Sequence, residues 1–562
     1  MSYLDLYEKT TSESVAGEGF PTRRDSLERI RQKSTFDVVV IGGGVHGAAF
    51  ARLAAFNGLS TVLFERGDYA GETSSRSSKM VHGGLRYLEL LDFAQVIEGV
   101  KAREDLFQIA PHLAQPCPFL IPVKRGNWFE QLKFRLGLTL YDRFMPRDIP
   151  GHRWRPFAEL HQSPWRARGD FAGAFEYRDG VMDDARIVQE LIVSARQEGA
   201  ECLNYVSAER VGSLESGEVR VFCKDLIGQT SFDVKAGFVV NCAGPWVREI
   251  GQPQVETLKS QPQLKFSRGV HVLFETPWPH PALFLPLAGR GRYYFVWPHP
   301  GGAMVGTTEQ ECGAPERAPQ PTIAELDEIF ARLERDLPDA GLDRAHAYYA
   351  FAGVRTLPLR SGAENTSKLS RRHIWSYANG MLSLFGGKYT TALSTAEEGL
   401  RTAVRLAGAQ VTVSSLKGRR LPGASGASLD EAKAVFEGQP IPEEIVAGVV
   451  RRLGTRVRFL PRFERWFEIF GGIVLRGEIE LYLESEQVET LEDLMWRRLG
   501  FELLPGHGLA ALDEIVALMK TRIPGRDFDT EAGLYRAKIA ATRDLLKRGA
   551  LSSSSLSSCG GQ

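Results

Sequence analysis

The sequence predicts an α/β protein. One parallel sheet is interleaved with a second, mixed sheet, and a helical domain follows. Three observations carry this. The run FDVVVI (36–41) is mostly apolar and β-branched, as a buried parallel strand should be, and it leads into a glycine turn and a helix of small residues. Between 260 and 310, GVHVLFE, RYYFVWP and AMVGTTE read as strands of a separate sheet. Beyond KGRRLPGASGASLDE, whose glycines, serines and proline mark a linker, helical periodicity replaces strand patterns.

In chain order, residues 1–34 are polar and read as a tail or a short peripheral helix. An α/β region spans 35–410, a linker 411–425, a helical domain 426–548 and a low-complexity tail 549–562. A helix over 46–57 and a strand over 59–64 complete a βαβ start, and AGFVVNCAGPWV (236–247) is a further buried strand. Thr322 and Glu325 have capping-box spacing ahead of a helix to 338, and Thr490 and Asp493 have it approximately.

Composition narrows the function classes. Acidic and basic residues balance at 69 each, which argues against nucleic acid as the main partner. Cys117, Cys202, Cys223, Cys242, Cys312 and Cys559 form no CxxC pair and no zinc-ligand cluster, so no metal is expected and the thiols read as reduced and cytosolic. The N-terminal stretch lacks a basic n-region and an apolar h-region, so a secretory signal is not expected. No run of 18 apolar residues predicts a spanning helix.

VVVIGGGVHGAAF contains Gly42-x-Gly44-x-x-Gly47 between strand and helix, the context that makes this fingerprint of a Rossmann-like dinucleotide site specific. The first glycine permits the turn, the second lets backbone approach a pyrophosphate, and the third lets the helix pack close to the sheet. The diphosphate then faces the free N–H groups of the helix N-terminus. Glu65, closing the second strand, is placed to accept hydrogen bonds from the adenosine ribose. The fingerprint alone does not separate NAD from FAD. The following segment, RGDYAGETSSRSSKMVHGGLRYLE, has hydroxyls and bare glycines suited to a long, permanently held flavin.

Eight segments occur in order: VVVIGGGVHGA, ETSSRSSKMVHGGLRYLE, FEYRDGVMDDARIV, FVVNCAGPWV, SRGVHVLF, MVGTTE, AGVRTLP and LSLFGGKYTT. Together they resemble the FAD-dependent glycerol-3-phosphate dehydrogenases, of the glutathione-reductase/D-amino-acid-oxidase class. The resemblance extends into EIELYLESEQVETLEDLMWRRLG (478–500). It implies an FAD-binding Rossmann-like domain with an interleaved mixed-sheet substrate domain, plus the helical C-terminal domain. It implies oxidation of sn-glycerol 3-phosphate to dihydroxyacetone phosphate by hydride transfer to flavin N5, with electrons passed to a membrane quinone, or to oxygen in a minority of members. It also implies a homodimer, and a location that is cytoplasmic or peripheral on the cytoplasmic face of the inner membrane. Two positions depart from the family: Thr356 where proline is common after the arginine, and Glu309 where aspartate is common. A flavoenzyme of the same fold acting on an amino acid or another hydroxy acid is the alternative.

For the cofactor, the resemblance implies contacts from Gly42, Gly44, His46, Gly47 and Glu65, and from Thr73, Ser74, Ser77, Lys79, His82 and Gly84. Val206, Ala243, Gly244, Gly387 and Lys388 are expected to complete them. Gly386 and Gly387 are read as directly preceding a helix, with Lys388 in its first turn as a positive charge for reduced flavin. Arg86, Tyr87, Arg355 and Arg371 match positions suited to phosphate, for which a guanidinium fork is apt. His271 is the expected base, taking the hydroxyl proton; its plain alternative is a core histidine. Residues 127–144 read as an amphipathic helix with Trp128, Phe129, Leu132, Leu136, Leu140 and Phe144 beside Lys133, Arg135 and Arg143. Such a face either lies in a lipid interface or packs on the core.

Overall fold

Thr35–Ile41, buried from Val38 onward and at Phe36, lies between Thr61–Phe64 and Thr230–Asn241, parallel to both. In the computed structural model, which describes residues 21–84, 92–145, 150–160, 170–213, 218–250, 261–287, 293–359 and 373–548, this is the centre of an eight-stranded sheet. Met381–Phe385 and Glu201–Leu203 extend it in parallel, and Ile374–Ala378 adds an antiparallel strand. One face is covered by the Val45–Phe56, Asp184–Gln197 and Ala392–Leu406 helices. The first of these sits close because its residues are small. A Cβ on Gly47 would lie 1.9 Å from the Gly42 carbonyl oxygen.

The segment before the first strand is more firmly built than a tail. Arg23–Lys33 is a helix closed by a capping box between Thr22 and Asp25, with Leu27 and Ile30 buried against the sheet. Arg23 reaches Asp225 at 2.5 Å in a buried ion pair. The stretch marked as a linker is likewise held. Leu421 is fully buried with its N–H on the Ile109 carbonyl, and the Gly423 N–H meets Glu190 at 2.6 Å.

The second sheet has ten strands. At its heart Leu264–Phe274 pairs antiparallel with Ala347–Pro358 on one edge and with Gly302–Gly306 on the other. This register sets Ser267 opposite Arg355, and His271 opposite both Phe351 and Gly306. The helix Ile323–Asp336, with the capping box at Thr322 and Glu325, covers its outer face.

From Leu429 to Arg548 the chain is mainly helical. These helices share their core with the mixed sheet: one apolar cluster runs from Phe119, Tyr177 and Phe351 through Trp496 to Met519 and Ile539. The Trp496 ring meets Phe351 edge-on at 5.9 Å. No helix among the described residues is long and apolar enough to cross a membrane. Cys117, Cys202, Cys223 and Cys242 are buried free thiols and Cys312 is half-buried.

Candidate active site

One cavity of about 900 Å³ opens between the two sheets. The glycine loop forms part of its wall. Gly42 has φ +103°, and a Cβ there would lie 2.6 Å from the Cys242 carbonyl oxygen, so only glycine makes this turn. The next helix starts at Val45 with Gly44 as its N-cap and no side-chain cap from that residue. Ser74, brought in from the SSRSSK segment, accepts the Val45 N–H at 3.0 Å and lines the cavity. Glu65 is buried and accepts the N–H groups of Gly43 (2.6 Å) and Gly67 (2.7 Å). Burial raises its pKa, and the two amides oppose that rise. A carboxylate so placed gains from further donors, which ribose hydroxyls supply.

His46 gives an independent sign of a polar ligand. Its ring engages the Lys388 backbone, while Nε2 is buried in the cavity wall with no hydrogen-bond partner. Burial depresses its pKa to about 4. Gly387 has φ +116°, and a Cβ there would lie 2.7 Å from that nitrogen. The residues present therefore fit a dinucleotide: bare backbone at the loop, a helix N-terminus whose N-cap glycine supplies no side-chain cap, a buried carboxylate and an orphaned imidazole nitrogen along one cavity.

Most residues expected at the cofactor do line this cavity: Thr73, Ser77, His82, Gly84, Val206, Ala243, Gly244 and Lys388 are on its wall. Lys79 and Gly47 are not. Lys79 is turned away and buried, where its ammonium pairs with Asp184 and donates to the Ser75 carbonyl. Gly47 serves the helix–sheet contact. The Lys388 expectation changes in one respect. The helix begins at Ala392, so Lys388 lies in the turn before it, where Gly386 and Gly387 both have positive φ. Arg86, Tyr87 and Arg371 lie outside the described residues.

The segment SSKMVHGG is held from behind by carboxylates that sequence reasoning did not single out. Asp184 accepts both the N–H and hydroxyl of Ser77, at 3.1 and 2.6 Å, besides Lys79. Asp179 accepts the Gly83 N–H at 2.9 Å, the Tyr141 hydroxyl at 2.7 Å and Arg103 at 2.8 Å. Both sit in FEYRDGVMDDARIV, so the signal was the co-occurrence of two motifs. The adjacent glycines have separate reasons. Gly83 is bare because Tyr141 and Val100 crowd it, whereas Gly84 faces the cavity.

Arg355 and His271 reach the cavity from paired strands. Arg355 donates to the Thr307 hydroxyl at 2.9 Å. His271 is 1% exposed; Nε2 lies 3.0 Å from the Ser78 hydroxyl, the ring stacks on Phe351, and Nδ1 has no hydrogen-bond partner. Burial, with Arg355 and Lys79 nearby, depresses its pKa to about 3, so the ring is neutral. Among the described residues no group of His, Cys, Asp or Glu is arranged to hold a metal ion.

Residues 37–393 match the family described as FAD dependent oxidoreductase. Glycerol-3-phosphate dehydrogenase 2 of Mycobacterium tuberculosis is 32% identical over 523 residues, which cover 90% of this chain and 88% of that one. Glycerol-3-phosphate dehydrogenase of Synechocystis is 33% identical over 393 residues, 65% of this chain and 69% of the relative. Among solved structures, the glycerol-3-phosphate dehydrogenase of Bacillus halodurans complexed with FAD has a TM-score of 0.73 at 24% identity, covering 94% of this chain and 98% of its own. That last likeness is one of fold.

Proposed function

The chain belongs to the FAD dependent oxidoreductase family and, within it, to the glycerol-3-phosphate dehydrogenases; on that premise, with FAD as cofactor, we propose that it oxidises sn-glycerol 3-phosphate to dihydroxyacetone phosphate and passes the electrons to a membrane quinone. The observation that carries the substrate is the convergence of Arg355 and His271 on one cavity wall.

When bound, FAD supplies the acceptor for the two electrons removed from the alcohol carbon. The chain's own residues bind and orient the substrate and manage its proton. The Arg355 guanidinium, steadied by Thr307, donates to phosphate oxygens in a half-buried setting, where charge-assisted donors are stronger than neutral ones. His271, neutral and tied at Nε2 to Ser78, has an imidazole able to accept the hydroxyl proton. Burial is the main cause of the depressed ring pKa and the positive field of Arg355 and Lys79 the lesser one; a phosphate dianion beside Arg355 offsets that lesser part and raises the ring's basicity once substrate is seated. Lys388 adds positive charge to the wall beside the glycine loop, and Glu65 is assigned to the adenosine ribose.

The Trp128–Asp142 helix supports delivery to a membrane acceptor. Phe134, Leu138 and Tyr141 face the core, while Trp128, Phe129 and Leu136 are 70%, 66% and 63% exposed. An exposed aromatic and aliphatic face beside Lys133 and Arg135 suits the lipid interface.

The deciding experiment is an anaerobic titration. Yellow holoenzyme should bleach on addition of sn-glycerol 3-phosphate. Bleaching by an amino acid or another hydroxy acid, and not by this substrate, would overturn the proposal.

A further inference from the structure

The Glu65 carboxylate belongs to a turn that is fastened from a distant part of the chain. Residues 66–70 pass under the glycine loop. Ala70 N–H donates to the Gly43 carbonyl at 3.1 Å, and a Cβ on Gly43 would meet the Tyr69 ring at 2.7 Å. Gln189 and Tyr205 donate to the Tyr69 and Gly67 carbonyls at 3.1 and 2.9 Å, and the side-chain ties of Asp68 and Tyr69 lead mainly to residues 486–498. Tyr69 donates its hydroxyl to Gln487 Oε1 at 2.7 Å. Asp68, fully desolvated, accepts Arg497 Nε at 2.5 Å and Arg498 Nη2 at 2.9 Å, with Arg498 Nη1 on the same carboxylate. Asn204 bridges the two segments, with one amide nitrogen near Asp68 (3.2 Å) and the Gln487 carbonyl (2.8 Å).

The fastening segment is itself immobilised. Arg498 also donates to the Glu486 carbonyl at 2.6 Å, and the Glu486 side chain takes Arg186 and Arg456, both at 2.6–2.7 Å. Those guanidinium groups hold its carboxyl at about 2, below the usual range. Asp68 does not line the cavity. Its pairing therefore does nothing for the cofactor directly, yet it fixes the backbone three residues after Glu65. Such buried charge networks have two discrete states, made or broken, so they transmit position well.

We propose that Arg497, Arg498 and Gln487 are positioning residues for the cofactor: they hold the Asp68–Tyr69 turn, and through it the Glu65 carboxylate and the floor of the glycine loop. The helical C-terminal region thereby sets part of the affinity for the adenosine half of FAD. This rests on the assignment of Glu65 to the ribose and is independent of which substrate is oxidised.

The test is the dissociation constant for FAD, read by recovery of fluorescence on release from holoenzyme, in Glu65→Gln, Arg497→Lys and the double variant. The proposal expects each single change to weaken FAD binding by about tenfold, and the double change to weaken it little further, since both act on one contact. Additive losses, or a lowered melting temperature with FAD affinity intact in Arg497→Lys, would overturn it and leave a purely structural network. No effect from Glu65→Gln alone would instead remove the ribose assignment, and the proposal with it. Should Arg497→Lys not fold, Tyr69→Phe with and without Glu65→Gln gives the same comparison, because it leaves every ion pair in place.

Discussion

Arg355 Nη2 and Thr307 Oγ1 meet at 2.9 Å above Gly269, where a Cβ would lie 2.4 Å from the hydroxyl and 2.8 Å from the guanidinium. The arginine thus owes its place to a missing side chain. Arg355→Ala should lower kcat/KM for glycerol 3-phosphate by about two orders of magnitude, at about 1.4 kcal/mol per tenfold. Weak turnover of glycerol, which lacks the phosphate, should barely change. Arg355→Lys should recover only part of the loss, because lysine keeps the charge without the fork. Steady-state kinetics on flavin-loaded variants check this; a parent rate in the alanine variant would remove Arg355 as anchor.

His271 should make stability depend on pH. Its folded pKa is about 3 against 6.5 for an ordinary histidine, so between those values the unfolded chain binds more protons. Stability from this group is therefore complete above pH 6.5 and falls as pH drops toward 3, by up to about 1.4 kcal/mol per pH unit. Denaturation midpoints from pH 7 to 4 should fall more gently in His271→Gln than in the parent. His299, held near 3, and His46 and His112, held near 4, all by burial, contribute in the same direction to the residual slope.

Gly83→Ala should destabilise the protein by overpacking. The added methyl would lie 2.1 Å from the Tyr141 hydroxyl oxygen and 2.8 Å from a Val100 methyl, and such insertions cost about 1–3 kcal/mol. In a Tyr141→Phe background, which removes the nearest atom, the same change should cost less. Chemical denaturation of the four proteins checks it; equal costs in both backgrounds would contradict the packing account.

Replacing Trp128, Phe129 and Leu136 together by serine should abolish flotation with anionic liposomes and leave the melting temperature within a degree or two, since all three side chains face outward. Failure of the parent itself to float at low salt would dispose of the membrane-facing assignment.

Local features were the legible ones. The strand, glycine turn and helix from Phe36 to Phe56 follow from spacing alone, and Glu65 sits at the end of the next strand where the pattern puts it. Direction was harder to read. Lys79 stands among cofactor-facing residues in sequence, yet a φ of +50° and the buried Asp184 turn it inward. The helix expected at Lys388 is delayed to Ala392, after a turn in which the Tyr389 hydroxyl is tied to the Asp184 carbonyl. Such ties, 205 residues apart in that case, leave no periodic trace in the sequence. Residues 1–34 read as a tail or a short peripheral helix; the helix is present over Arg23–Lys33, and its anchor, Asp225, is similarly remote.

Asp68 and Arg498 are separated by 430 residues, and that separation has a meaning in time. A ribosome adding about 5–20 residues per second needs roughly 20–90 s to deliver the arginine after the aspartate. Through that interval the nascent chain holds the glycine loop and Glu65 and lacks the counter-charge for the turn beneath them. A polypeptide released early, before Arg497, ends in that condition permanently.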